Sequence, residues 1–199
     1  MAGRNKIFKE EVALADAMKV FWQYGYEGAS MTRLLKAMGL NKGSLYHSFG
    51  SKKELFLRVV DQYSDELEEF IENRLKQSDS VIDAIQELYR GMIQTDDKDI
   101  IKQGCLLVNT IAELAYLEPS LKEIAAHRLR MLEEIFIKHL NIARQKGEIN
   151  AQTPSEVVAK HLITLYSGIQ INRKLYPYRD GLSQLLEVNL ALLNQYKTA

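Results

Sequence analysis

Lys42, Gly43 and Ser44 stand side by side at the start of a short amphipathic segment, and Tyr46 and His47 follow within one turn. These residue types suit contact with a phosphate backbone and with base edges. A helix that opens at Lys42 presents free N–H groups and the positive end of its dipole, both favourable beside phosphate. Gly43 and Ser44 are small, so the backbone can approach base edges closely. Tyr46 and His47 can hydrogen-bond phosphate oxygens. Leu45 and Phe49, spaced i, i+4, face the other way, toward a core. The residues alone also fit a helical hairpin that only packs, with Lys42 and His47 solvated.

The elements around them decide how such a segment is held. Segment 7–24 carries Leu14, Ala17, Met18 and Phe21 on one face at the 3.6-residue period, and Gly25 and Gly28 are expected to end it. Segment 31–38 is short, with Met31, Leu34, Leu35 and Met38 apolar. Ser30 stands where an N-cap belongs and Gly39 where a left-handed residue closes a helix. Asn41 is the expected cap of 42–48. Helices this short are marginal alone and must pack on each other and on 7–24. Two short helices joined by Gly39-Leu40-Asn41 fit a helix-turn-helix over about residues 30–49. Ser51 and Glu54 have capping-box spacing ahead of a long run from Lys52 to about Lys76. Further helices are expected over about 80–95, 104–116, 118–146, 154–175 and 179–195, with a polar loop at 95–99 and a break at Pro177. Thr153-Pro154-Ser155-Glu156 reads as a cap, a first-turn proline and an N3 glutamate. The fold class is therefore all-α, with about nine helices.

The order Phe21-Trp22, Gly25-Tyr26-Glu27, Ser30-Met31, Leu34, Met38-Gly39-Leu40, Lys42-Gly43-Ser44-Leu45-Tyr46, Phe49-Gly50-Ser51-Lys52 and Leu55-Phe56 adds a family likeness. With these residues, 12–63 resembles the N-terminal DNA-binding domain of the TetR/AcrR family of bacterial transcriptional regulators. One departure is Ala29, where the family commonly has threonine. The resemblance implies a three-helix DNA-binding domain at 1–50 and a larger helical effector-binding and dimerisation domain at 51–199. It implies that Ser30 and Thr32 hold phosphate at the first short helix, where Arg33 is a further DNA-binding residue, that Lys42, Gly43 and Ser44 face bases, that Tyr46 and His47 grip the backbone, and that Lys52 clamps a further phosphate. Trp22 reads as core.

The body offers fewer signals. Gly104-Cys105-Leu106-Leu107-Val108-Asn109-Thr110 with Glu113-Leu114 is similar to a stretch in some AcrR-type members. Polar or soft residues within apolar segments mark candidates for a ligand pocket: Tyr89, Met92, Cys105, Asn109, Glu113 and Tyr166. The same residues also suit ordinary core or surface positions. The lone Cys105 reads either as a small buried hydrophobe or as a sensor of oxidants and electrophiles; a disulfide between two copies stays open. Ile163, Tyr166 and Ile169 form an apolar strip, and Leu182, Leu185, Leu186, Leu190 and Leu193 make the last helix apolar around much of its girth. A helix of that kind needs partners on most faces. The resemblance implies that this helix pair joins two copies in a four-helix bundle.

Composition bounds the remaining classes. The chain has 199 residues, three prolines, one cysteine and zero net charge. One cysteine excludes a disulfide framework or a thiolate cluster within one chain. No membrane span and no secretory leader are expected, so the expected compartment is the cytoplasm. The zero hides an asymmetry. Residues 1–60 hold ten Lys/Arg and five Asp/Glu, a net of +5, and the rest a net of −5. A basic end suits a nucleic-acid contact. No nucleophile elbow, P-loop or dinucleotide fingerprint occurs, and the four histidines lack i, i+4 partners. No catalytic residue, metal or cofactor is therefore assigned. The reading is a ligand-responsive repressor, a homodimer on a palindromic duplex operator, with an unknown small-molecule effector. A regulator acting through Cys105, a small-molecule carrier or all-α enzyme, and a protein-binding adaptor are the alternatives.

Overall fold

The computed structural model describes residues 10–94, 103–175 and 179–198. Among the described residues there are nine α-helices: α1 (Glu10–Gly28), α2 (Met31–Met38), α3 (Lys42–Phe49), α4 (Lys52–Lys76), α5 (Val81–Gln94), α6 (Leu106–Leu114), α7 (Pro119–Gln145), α8 (Ser155–Leu175) and α9 (Arg179–Ala191). A short 3-10 turn, Leu192–Tyr196, follows α9, where sequence periodicity implied continuous helix. The expected loop at 95–99 and the break at Pro177 lie outside the described residues.

The local caps set the geometry of the first four helices. Ser30 accepts from the Arg33 amide at 3.3 Å and Asn41 accepts from the Ser44 amide at 2.8 Å. Gly39 takes the left-handed conformation, φ 65°, that lets the chain turn directly from α2 toward α3. Ser51 and Glu54 form a reciprocal capping box at the head of α4. Phe21, Leu34, Leu45, Phe49, Leu55 and Phe56 are buried together. Phe56 of α4 stands edge-on to Phe21 at 4.9 Å and to Tyr26 at 5.0 Å, so α4 is bolted to α1. Ala29 is buried, so this position holds a core methyl.

Three local expectations change. α1 continues past Tyr24 to Gly28, kinked at Gly25 (φ 71°, ψ 178°), because one more turn closes through the Ala29 amide onto the Gly25 carbonyl. Thr153 does not cap α8. Its buried hydroxyl has no hydrogen-bond partner, and the first helical bond runs from the Val158 amide to the Pro154 carbonyl. The last helix is not apolar for the sake of a second copy alone. Leu182, Leu186, Leu190 and Leu193 are buried within this chain, as are Tyr166 and Ile169 of α8. α5 covers that side of α9: the Gln86 amide donates to the Leu190 carbonyl, and Arg90 pairs with Glu187. Ile163 is half-buried. Of the proposed interface residues Leu185 is exposed. It continues along α9 at helical spacing into exposed Val188, and Leu192 extends the stripe.

Candidate nucleic-acid interface and body cavity

The side chains on and beside α2 and α3 divide into those that build the motif and those left open. Leu34, Leu45 and Phe49 point inward. Thr32, Arg33, Lys42, Gly43, Tyr46 and His47 are exposed, and Ser44 and Lys52 are half-buried. Ser30 is exposed, with its hydroxyl engaged as the α2 cap. Three cations stand over tyrosine rings: Arg33 over Tyr24 at 4.6 Å, Lys42 over Tyr46 at 5.8 Å and Lys52 over Tyr26 at 4.5 Å. Arg33 also donates to the Gly28 carbonyl at 2.9 Å. A cation–ring contact holds a long side chain without neutralising it. Other cations of this region are neutralised: Lys19 pairs with Asp16, Arg58 with Glu10 and Lys53 with Glu118. Among the described residues, Arg33, Lys36, Lys42 and Lys52 form no ion pair. The positive charge left over thus collects around the motif, as contact with phosphate requires. The roles of Tyr24 and Tyr26 as ring supports had no sequence signal, since each supports a cation from another helix.

The body contains an apolar cavity of about 370 Å³. Phe70 and Leu67 of α4, Leu88 and Met92 of α5, and Tyr166 and Arg173 of α8 supply much of its wall. Met18 and Trp22 of α1 complete it, so α1 is shared between the motif and the cavity. Trp22 is therefore more than core. It is half-buried, its indole N–H donates to the Gly104 carbonyl at 3.1 Å, and its ring stands edge-on to Tyr63 at 5.1 Å.

The six pocket candidates separate. Met92 and Tyr166 line the cavity. Tyr89 does not: it is fully buried in the core and its hydroxyl donates to the Leu162 carbonyl at 2.5 Å. Burial alone holds that phenol well above its ordinary range. Cys105 is fully buried and does not line the cavity, and its thiol interacts with the Tyr63 and Tyr166 phenols. Asn109 and Glu113 line a separate polar cleft of about 660 Å³ between α1 and α6.

Glu113 makes the more informative contact there. Its carboxylate accepts from the Tyr26 amide at 3.0 Å and from the Glu27 amide at 2.9 Å. Those N–H groups open the short turn of α1 beyond the Gly25 kink. A carboxylate on a helical N-terminus is a favourable pairing. It ties α6 of the body to the end of α1, just before the motif. Among the described residues no cluster of three or more His, Cys, Asp and Glu is placed to hold a metal, and no helix is long and apolar enough to cross a membrane.

The comparisons agree with this layout. Residues 13–59 match the family model described as bacterial regulatory proteins, tetR family, and residues 81–187 match the tetracyclin repressor-like C-terminal domain. The chain is 30% identical over 194 residues to an HTH-type transcriptional regulator, YezE, of Bacillus subtilis (strain 168), covering 96% of this chain and 100% of that protein. It is 28% identical over 191 residues to the HTH-type transcriptional repressor ComR of Escherichia coli (strain K12), covering 96% and 91% of the two chains. It is also similar to a solved structure of the TetR family transcriptional regulator CifR, a cysteine mutant complexed with 26-base-pair double-strand operator DNA. The TM-score is 0.85 at 28% identity, covering 95% of this chain and 98% of that one. A helix-turn-helix ringed by unpaired cations, an all-helical body behind it and these matches over nearly the whole length give one conclusion: the chain belongs to the TetR family of bacterial transcriptional regulators and is a DNA-binding protein.

Proposed function

We propose that this protein is a ligand-responsive repressor that acts as a homodimer on a palindromic operator. Residues 1–50 form the reading head, and 51–199 hold the effector and pair the copies. The single observation that carries this reading is the shared wall: Met18 and Trp22 belong both to the helix that supports the motif and to the body cavity. A ligand that fills the cavity presses on α1 and α4 together. It lowers operator affinity by as much as it prefers the released state. Apolar pockets with a few polar groups between packed helices are ordinary small-molecule sites. The exposed Leu185, Val188 and Leu192 stripe supplies the apolar face for pairing two copies. The buried Cys105 thiol favours an effector over an oxidant as the signal, because reactive thiols need access to solvent.

Lys42→Ala tests the reading head. The side chain is exposed, so folding is unaffected, while loss of a base or phosphate contact costs about 1–3 kcal/mol of operator affinity. Gel shifts at several salt concentrations on an operator selected from random duplexes check it. Lower affinity with an unchanged thermal midpoint is expected. If both affinity and salt slope are unchanged, Lys42 is not part of the interface.

A further inference from the structure

We propose that the body cavity takes a small organic anion with an apolar body, such as an aromatic or alkyl carboxylic acid, and that Arg173 holds its charge. The proposal rests on the reading of this cavity as the effector site. Arg173 lies on the last turn of α8 and lines the cavity, yet it is only 6% exposed. One terminal guanidinium nitrogen, Nη2, is buried with no hydrogen-bond partner. The other, Nη1, reaches Gln170 Oε1 at 3.5 Å, the outer limit of a hydrogen bond. Among the described residues no carboxylate pairs with it. Among the described residues, the phenols of Tyr166 and Tyr63 are the ionisable groups that act on it.

A buried, unpaired guanidinium is costly. Arginine does not discharge at ordinary pH, so the cost is not relieved by losing a proton. An apolar side chain of similar length would serve the packing better. Among the described residues nothing supplies the missing partner, and a bound ligand would. The rest of the wall narrows its chemistry. Trp22, Phe70, Leu88 and Met92 offer apolar and aromatic surface to a ligand body. The other charged lining group, Glu66, is exposed, accepts from the Gln62 amide at 2.7 Å and forms no ion pair with Arg173. A cation meets an unneutralised guanidinium. A neutral apolar ligand leaves it bare. A polyanion leaves its second charge against hydrocarbon. A single carboxylate on an apolar body satisfies both the wall and the arginine, with a bond that a buried site strengthens.

The test uses the full-length protein with phenylacetate and octanoate, each against its primary amide, in calorimetric titrations. The acids are expected to bind about tenfold or more tightly than the amides, the loss of one charge-assisted bond. Arg173→Met should erase that preference while leaving the ligand-free urea midpoint equal or higher. Arg173→Lys should keep part of the preference. Acids and amides that bind equally, both blocked by a cavity-filling Gly91→Trp, would overturn the anion class and leave the effector site standing. A ligand-free Arg173→Met less stable than the parent would show that Arg173 has a structural partner and overturn the proposal. No binding by any of the four compounds would also overturn it. The effector reading itself is decided separately, by the effect of Gly91→Trp on operator affinity.

Discussion

Gly25→Ala is expected to destabilise the protein by several kcal/mol and to abolish operator binding at ordinary concentrations. Two costs act at one point. Gly25 has φ 71° and ψ 178°, a region that essentially only glycine occupies, and forcing another residue there costs about 1–3 kcal/mol. A Cβ at Gly25 would also stand 2.7 Å from the carboxyl carbon of Glu113. That carboxylate is the flexible end of a side chain, but moving it breaks its bonds to the Tyr26 and Glu27 amides. Hydrogen bonds to a charged group are worth about 1.5–3 kcal/mol, toward the low end here because the Glu27 side is exposed. Glu113→Ala alone should therefore cost less than Gly25→Ala. In the Glu113→Ala background the glycine substitution should cost only its backbone part. Urea unfolding of the four proteins of this cycle measures the coupling. A Gly25→Ala protein within about 0.5 kcal/mol of the parent would show that the joint between α1 and α6 does not exist as described.

Gly91→Trp is expected to act as a built-in effector. Gly91 lies inside α5 and lines the cavity, and a Cβ built there meets nothing within 4 Å. Gly91 is itself exposed, and replacing a helical glycine raises helix propensity by up to about 1 kcal/mol, while an indole turned into the cavity gains apolar burial. The folded protein should be as stable as the parent or more so. Operator affinity should fall about 5- to 150-fold, the usual range of coupling between two sites. Fluorescence anisotropy with labelled operator reads this directly. Unchanged operator affinity with a demonstrably filled cavity would separate cavity from head. Tighter binding would reverse the sign and make the ligand a co-repressor.

What sequence reading reached, and what it missed, follows from range. The Ser30, Asn41 and Ser51–Glu54 caps are four-residue patterns, so local spacing located them. Gly39 and the inward Leu45 and Phe49 are equally local. Glu113 and Tyr26 are 87 residues apart, and nothing in either segment marks the other. Arg173 sits in Asn172-Arg173-Lys174, which reads as a solvated basic helix end, and only the packed fold shows it buried. Tyr89 and Met92 are one helical turn apart, yet Tyr89 points into the core and Met92 into the cavity; a rotation that small is set by packing. The leucines of α9 were legible as needing partners. Which partner could not be read, because helical periodicity does not distinguish α5 of the same chain from a second copy.

The central claim is that the cavity and the reading head are one thermodynamic unit, and reciprocity tests it most directly. The carboxylate that binds tightest is titrated calorimetrically into the free protein and into the protein saturated with its operator. If the ligand weakens operator binding by a given factor, operator must weaken ligand binding by the same factor. The expected result is a ligand Kd that rises about 5- to 150-fold on the operator complex, matching the loss of operator affinity at saturating ligand. Equal ligand affinity in the two titrations would contradict it and leave a DNA-binding protein whose cavity has no hold on its head.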